Sequence, residues 1–399
     1  MPSLTTTALK LFLTCLLAVG SALAAPRQPA SDAEVLERLP ARALDPRQRE
    51  MTELRRRLAQ RPDDLALALR LAHRYYAEVA AEGDPRYIGY AQAALAPWWS
   101  LPNPPQPVRV MRAILLQFNH QFDAAIVDLQ TAVKADPGNS EAWAWLAAIA
   151  MVRGDYALAR SACHALAPQA APAVAAGCLA HVDATTGHAA MAADALRAAL
   201  RADVQASAQT DAGERLWALT RLAEIEQRRG RYAPAEALYR EALALGVTDG
   251  YLLAAYADLL LDQGRATEVL ALLQGRERSD LLLLRLALAA KASADPRQAR
   301  WQRDLAARFD AARLRGDTVH QKEESRFALQ LLGDAPRALA LARENYAVQR
   351  EPSDARTLLE AALAARQPQA AAPVLAWLNS SGIESVVLHD LAKKLGAGS

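Results

Sequence analysis

With 399 residues, 52% of them hydrophobic and only 6% aromatic, the chain can bury a large core in which Ala and Leu do most of the filling. Lys+Arg 46 against Asp+Glu 44 leaves a formal net charge of +2, which excludes the overall basic field that nucleic-acid binding usually rests on. Helix formers at this level favour an all-α fold.

Residues 1–24 read as a secretory signal peptide. Lys10 is the only charge, residues 11–19 are an apolar run, and Ala22-Leu23-Ala24 offers a small-x-small cleavage site. The run is shorter than the ~20 residues of a membrane span, so the expectation is an exported, periplasmic protein, with an uncleaved anchor as the alternative. Cys15 follows Thr14 where a lipoprotein signal carries a smaller residue. Arg285 breaks the one later apolar run, residues 281–290, which leaves no stable membrane span after signal cleavage. Residues 25–62 are a Pro/Ala-rich mobile leader, with a helical candidate at 32–39, followed by a charged amphipathic helix at 47–58. Asp64 then stands where it caps the next helix.

Residues 63–200 contain a pattern that repeats. Phe122-Asp123-Ala124-Ala125 returns as Tyr156-Ala157-Leu158-Ala159 after 34 residues, and Ala113 returns as Ala147 at the same spacing. A period of this length denotes stacked helix-turn-helix units. Trp143, Leu146, Ala147 and Ala150 fall on one face of a first helix, and Gly154 ends it with a residue free to take positive φ. Tyr156, Ala159 and Cys163 mark the inward face of a second helix. Short side chains at Ala147 and Ala159 let the two helices approach, and Trp143 and Tyr156 fill the space beside them. Together with Ala132 and Pro137 in the preceding copy, these positions resemble the tetratricopeptide repeat. The resemblance implies a right-handed α-solenoid of stacked antiparallel helix pairs, eight to nine in all.

The phase continues through Gly187, Ala192 and Leu196. Residues 201–214 interrupt it as an inter-repeat loop, and it resumes over 215–280 with Gly230, Tyr232, Ala235 and Tyr239, then Gly264 one period on. Residues 281–399 are divergent helical repeats ending in a cap at 383–395. The first repeat departs from the pattern: 11 residues separate Ala72 from Gly83, against 7 between Ala147 and Gly154, so it has an extra helical turn or a longer loop. Trp98 and Trp99 form either an exposed ligand surface or a cap on the core.

Two cysteines survive signal cleavage, Cys163 and Cys178; they form a disulfide or remain two buried thiols. The histidines lack metal-site spacing, and there is no phosphate-cradling loop or nucleophile turn. The expectation is therefore no catalytic residue, no metal and no cofactor. In the resembling family the first helix of each pair lines a concave groove. Carrying those positions over places Gln117, Phe118, Met151, His181, Glu224, Gln227, Arg228 and Asp258 toward it. Residues with which some members clamp a peptide carboxylate are replaced here by Ala144, Ala148 and Thr220. The implied function is a non-enzymatic scaffold that binds a protein or peptide partner in the groove. Two rivals share the fold: a cell-wall enzyme using Glu323-Glu324, and an architectural subunit of an envelope assembly.

Overall fold

The computed structural model describes residues 46–205 and 211–396. A first compact unit ends at Glu50 and, among the described residues, contributes only the start of helix α1 (Pro46–Gln60); the second unit runs from Met51 onward and holds the remaining helices. Among the described residues there are helices and turns and no strand. No helix there is long and apolar enough to cross a membrane.

The helices pair in chain order. α2 (Leu65–Glu82) faces α3 (Arg86–Ala94), which continues into the short α4 (Ala96–Trp99). Then come α5 (Gln106–Phe118) with α6 (Phe122–Ala135), α7 (Ser140–Arg153) with α8 (Tyr156–Leu166), and α9 (Pro172–Thr185) with α10 (Ala189–Gln205). α11 (Ala212–Arg228) pairs with α12 (Tyr232–Ala244), α13 (Gly250–Asp262) with α14 (Ala266–Leu272), and α15 (Asp280–Ala292) with α16 (Gln298–Leu314). α17 (Gln321–Phe327), prolonged by a π-turn at Ala328–Leu332, pairs with α18 (Ala335–Val348); α19 (Pro352–Ala364) precedes α20 (Ala372–Ser381), and α21 (Val386–Gly396) packs on α19. The result is an all-α solenoid.

Local chemistry sets these boundaries. The Asn139 side chain accepts from the Ala142 amide at the start of α7. Gly154 closes that helix at φ 78°, and Asp155 accepts from the Leu158 amide to begin α8. Two residues thus reverse the chain. Ala147 and Ala159 are buried as the close approach requires, and Trp143 donates its indole N–H to the Pro137 carbonyl at 3.0 Å.

Several expectations are refined. The first repeat differs by an extra turn of helix: α2 has 18 residues against 14 in α7. Trp98 and Trp99 pack partly buried against the N-terminal core, with Arg112 donating to the Trp99 carbonyl, so they cap it. The loop expected at 201–214 is shorter, because α10 runs on to Gln205 and Asp211 already caps α11; residues 206–210 lie outside the described residues, as do the signal and the leader helix at 32–39. The last helix starts at Val386, three residues late, since Ile383 is buried in the preceding link.

Cys163 on α8 and Cys178 on α9 are joined by a disulfide with Cα atoms 5.6 Å apart. It staples one pair to the next. Nearby, Gly177 sits where an added Cβ would lie 2.6 Å from Cζ3 of Trp217, a side chain that packs on both the N-terminal and central core clusters. Overpacking of this kind costs roughly 1–3 kcal/mol, and better helix propensity returns about 1. Gly177→Ala is therefore expected to lower the unfolding free energy, read from the urea midpoint, by a net of up to ~2 kcal/mol. An unchanged or raised midpoint would show that Trp217 yields without strain.

The solenoid also touches itself one turn later. The Arg350 amide donates to the Val152 carbonyl at 2.8 Å, and Arg153 reaches the Val348 carbonyl at 3.4 Å, across 195 residues. The Ala189 amide donates to Glu384 at 2.9 Å, again across 195, and Trp377 donates to the Tyr156 hydroxyl at 2.7 Å. Gly187, at φ 84°, meets Gly382 so closely that a Cβ would stand 3.1 Å from its carbonyl oxygen. Recurrence at 195 residues means that a little under six 34-residue repeats complete one turn. The winding encloses its own axis.

Candidate functional site

The inner helices of this turn surround a cavity of about 240 Å³. His181 reaches it from α9, Glu224, Gln227 and Arg228 from α11, and Asp258 from α13, so five of the eight residues expected in the groove converge. α15, α17, α19 and α21 close the far side with residues including Arg285, Arg326, Arg356 and Leu388.

The other three lie elsewhere. Gln117 donates to the Tyr76 hydroxyl at 3.3 Å, and Phe118 rests against the N-terminal core. Met151 corrects its expectation: it is 5% exposed, because the apolar side chain joins that same core and presents nothing to a groove.

Most charges around the cavity are matched in pairs. Arg285 donates to Asp258 at 2.6 Å, and Arg326 grips both oxygens of the same carboxylate at 3.0 and 3.1 Å. Burial works to raise the Asp258 pKa, but the Arg285 and Arg326 guanidiniums outweigh it and hold the carboxyl far below its ordinary range. Arg356 forks onto Asp262 with two bonds of 2.7 Å and donates its Nε to Glu360 at 2.7 Å. Lys322 stands 3.6 Å from Asp354. The Asp258 and Asp262 pairs tie the central repeats to the C-terminal ones.

On the α11 side the match is incomplete. Glu224 takes an ion pair from Arg221 at 3.1 Å and a hydrogen bond from the Tyr251 hydroxyl, while the Arg221 guanidinium lies 4.9 Å from the Tyr251 ring centre. The Tyr239 hydroxyl donates to Gln227 at 2.9 Å. Burial pushes the His181 pKa well below its ordinary value, with Arg221 and Arg228 adding to the effect, so the imidazole is neutral near pH 7. Burial also lowers Arg228, against the attraction of Glu224.

Glu323 and Glu324 do not converge. Glu323 lines the cavity, while Glu324 turns to Arg337 and Arg313. No group of three or more His, Cys, Asp or Glu side chains arranged to hold a metal occurs among the described residues.

The groove expectation did not include Arg221, although it stands seven residues before Arg228 and so two turns away on the same face. Arg326 and Arg356 had no such signal, because they lie 68 and 94 residues from their partners.

The tetratricopeptide repeat family model matches residues 119–182, from the α5–α6 turn into α9. No curated protein matches the sequence. Among solved structures, the chain is similar to one in the crystal structure of the APC/C hetero-tetramer Cut9-Hcn1, at 14% identity and a TM-score of 0.48, over 84% of this chain and 63% of that one. A tetratricopeptide repeat protein from Parabacteroides merdae ATCC 43184 matches at 15% and 0.35, over 73% and 98%. The human IFIT1 dimer with PPP-AAAA matches at 12% and 0.43, over 89% and 95%. The 34-residue pattern and the glycine-closed helix pairs stand in one register with the family match, so residues 119–182 are a tetratricopeptide-repeat segment within an all-α solenoid.

Proposed function

We propose that the protein is an exported, periplasmic scaffold without catalytic activity of its own, and that it holds a segment of a protein partner along the inner face of its superhelix. The observation that carries this reading is the convergence of His181, Glu224, Gln227, Arg228 and Asp258 from three inner helices on one cavity. A repeat array uses such a surface for recognition by shape and scattered polar contacts. Export is supported by the signal pattern in residues 1–24 and by a disulfide that an oxidising compartment would preserve.

A photoreactive residue at Gln227 tests the inner face in living cells, with Arg240 as control. Arg240 lies on α12, and its side chain is 61% exposed. The expected result is a discrete adduct from position 227 that is absent at 240. Equal capture at both positions, or none at either, would remove the inner face as the docking surface.

A further inference from the structure

Three side chains that line the central cavity each carry a buried nitrogen without an acceptor: Nε of Arg221, of Arg228 and of Arg285. Only two other side-chain atoms among the described residues share that condition, Gln106 Oε1 and the Tyr346 hydroxyl. The unmet hydrogen bonding is therefore concentrated in one place, and there it is of one kind, donors lacking acceptors. The Arg221 and Arg285 side chains are 10% and 5% exposed, so water reaches them poorly. A buried donor left unsatisfied is costly, and more so when it is charged. Three such atoms, on side chains that line one cavity, are a standing cost with no structural return.

Arg228 stands out further. Arg285 and Arg326 share Asp258, Arg356 has Asp262 and Glu360, and Arg221 has Glu224. Among the described residues Arg228 has neither a hydrogen bond nor an ion pair, and Glu224, the nearest source of attraction, is already engaged by Arg221 and Tyr251. His181 faces the two arginines as a neutral ring. Arg228 is thus a basic side chain of the lining without an ion-pair partner, although Glu323 and Glu351 also line the cavity.

We infer that the cavity is a binding site for a small organic monoanion, whose carboxylate is received by the Arg228 guanidinium and whose apolar or aromatic body lies against Tyr251. A monoanion supplies the acceptor that Arg228 lacks, whereas a dianion would meet repulsion from Glu224, Asp258, Glu323 and Glu351, which line the same cavity. A guanidinium suits a carboxylate because its planar donors match both oxygens. The volume of about 240 Å³ falls just below the roughly 300–1,000 Å³ of drug-sized ligand sites, which admits a small acid and not a helix. Such a ligand needs no protein partner, so the inference stands apart from the scaffold reading and survives failure of the cross-linking test.

Calorimetric titration of the full chain with benzoate, acetate and hexanoate tests it, with benzyl alcohol as the uncharged analogue and phenyl phosphate as the dianion. The expected result is one-site binding of at least one carboxylate at millimolar affinity or better, no binding of the alcohol, and weaker binding of the phosphate. Arg228→Gln is expected to weaken the carboxylate at least tenfold, and Arg228→Lys to retain part of the affinity. Without ligand, Arg228→Gln is expected to melt at or above the wild-type temperature, since it removes an unpaired charge; a lower melting temperature would mark a structural residue and overturn the assignment. So would equal carboxylate binding by the Gln variant, or no binding of any of the three acids. A heptapeptide that binds more tightly than every small acid, and fails once its C-terminus is amidated, would replace the small acid with a chain end.

Discussion

Asp258→Ala is expected to lower the unfolding free energy by roughly 3 kcal/mol, at the low end of the ~3–5 kcal/mol for breaking a buried ion pair because the Asp258 side chain is 24% exposed. The loss is not merely that of two attractions. Removing one carboxylate leaves Arg285 and Arg326 at the cavity wall without the counter-charge they share. Arg285 is the worse placed, being 5% exposed with its Nε already unsatisfied. The same residue sets a pH dependence. The folded-state pKa lies below the unfolded value of about 3.9, so the contribution is complete above pH ~4 and drains away as the pH falls further. Denaturant titrations at pH 7 and near pH 3 should show the wild-type and Asp258→Ala curves converging in acid. A constant gap between them would refute the charge assignment. A cycle with Arg326→Gln then isolates the coupling that links α13 to α17.

Reducing the disulfide is the second large effect. Cys163 and Cys178 are 15 residues apart in sequence, and releasing a loop of that length gives the unfolded chain about 3 kcal/mol on the chain-entropy argument. Urea titration with and without reductant should resolve the difference, and a Cys163→Ser, Cys178→Ser double variant should show no further response to reductant. Identical midpoints would mean that the helix contacts alone hold α8 to α9. Because the staple joins adjacent pairs, its loss should be felt first around Trp217, where the N-terminal and central cores meet.

The two effects differ in how far the sequence announces them. The helix pairs are legible because each is local: Gly154 and Asp155 turn the chain within two residues, and Ala147 and Ala159 recur at a fixed spacing that any copy can be tested against. The cysteines are nearly as legible, since a single turn between adjacent helices brings them level. The inner-face residues of α9, α11 and α13 follow from the same periodicity. Met151 misled for a physical reason, in that a first-helix position can face the core where the inner surface is apolar, and there the family pattern does not separate groove from packing. What periodicity cannot supply is the far wall of the cavity. Arg326 and Arg356 meet Asp258 and Asp262 only because of the pitch of the superhelix, and the pitch accumulates from small rotations between pairs that no single repeat encodes.

That pitch also governs how the chain folds. An array in which each repeat touches only its neighbours has low contact order and can form in any sequence of local steps. The bonds from Val152 to Arg350 and from Ala189 to Glu384 impose a different order of events, since each closes a loop of nearly 200 residues whose entropy must be overcome before the contact returns any energy. The C-terminal pairs are therefore expected to dock last, onto a turn that has already formed, as the slowest phase of stopped-flow refolding. Once docked, they make the first and second turns unfold as one cooperative body rather than fray repeat by repeat.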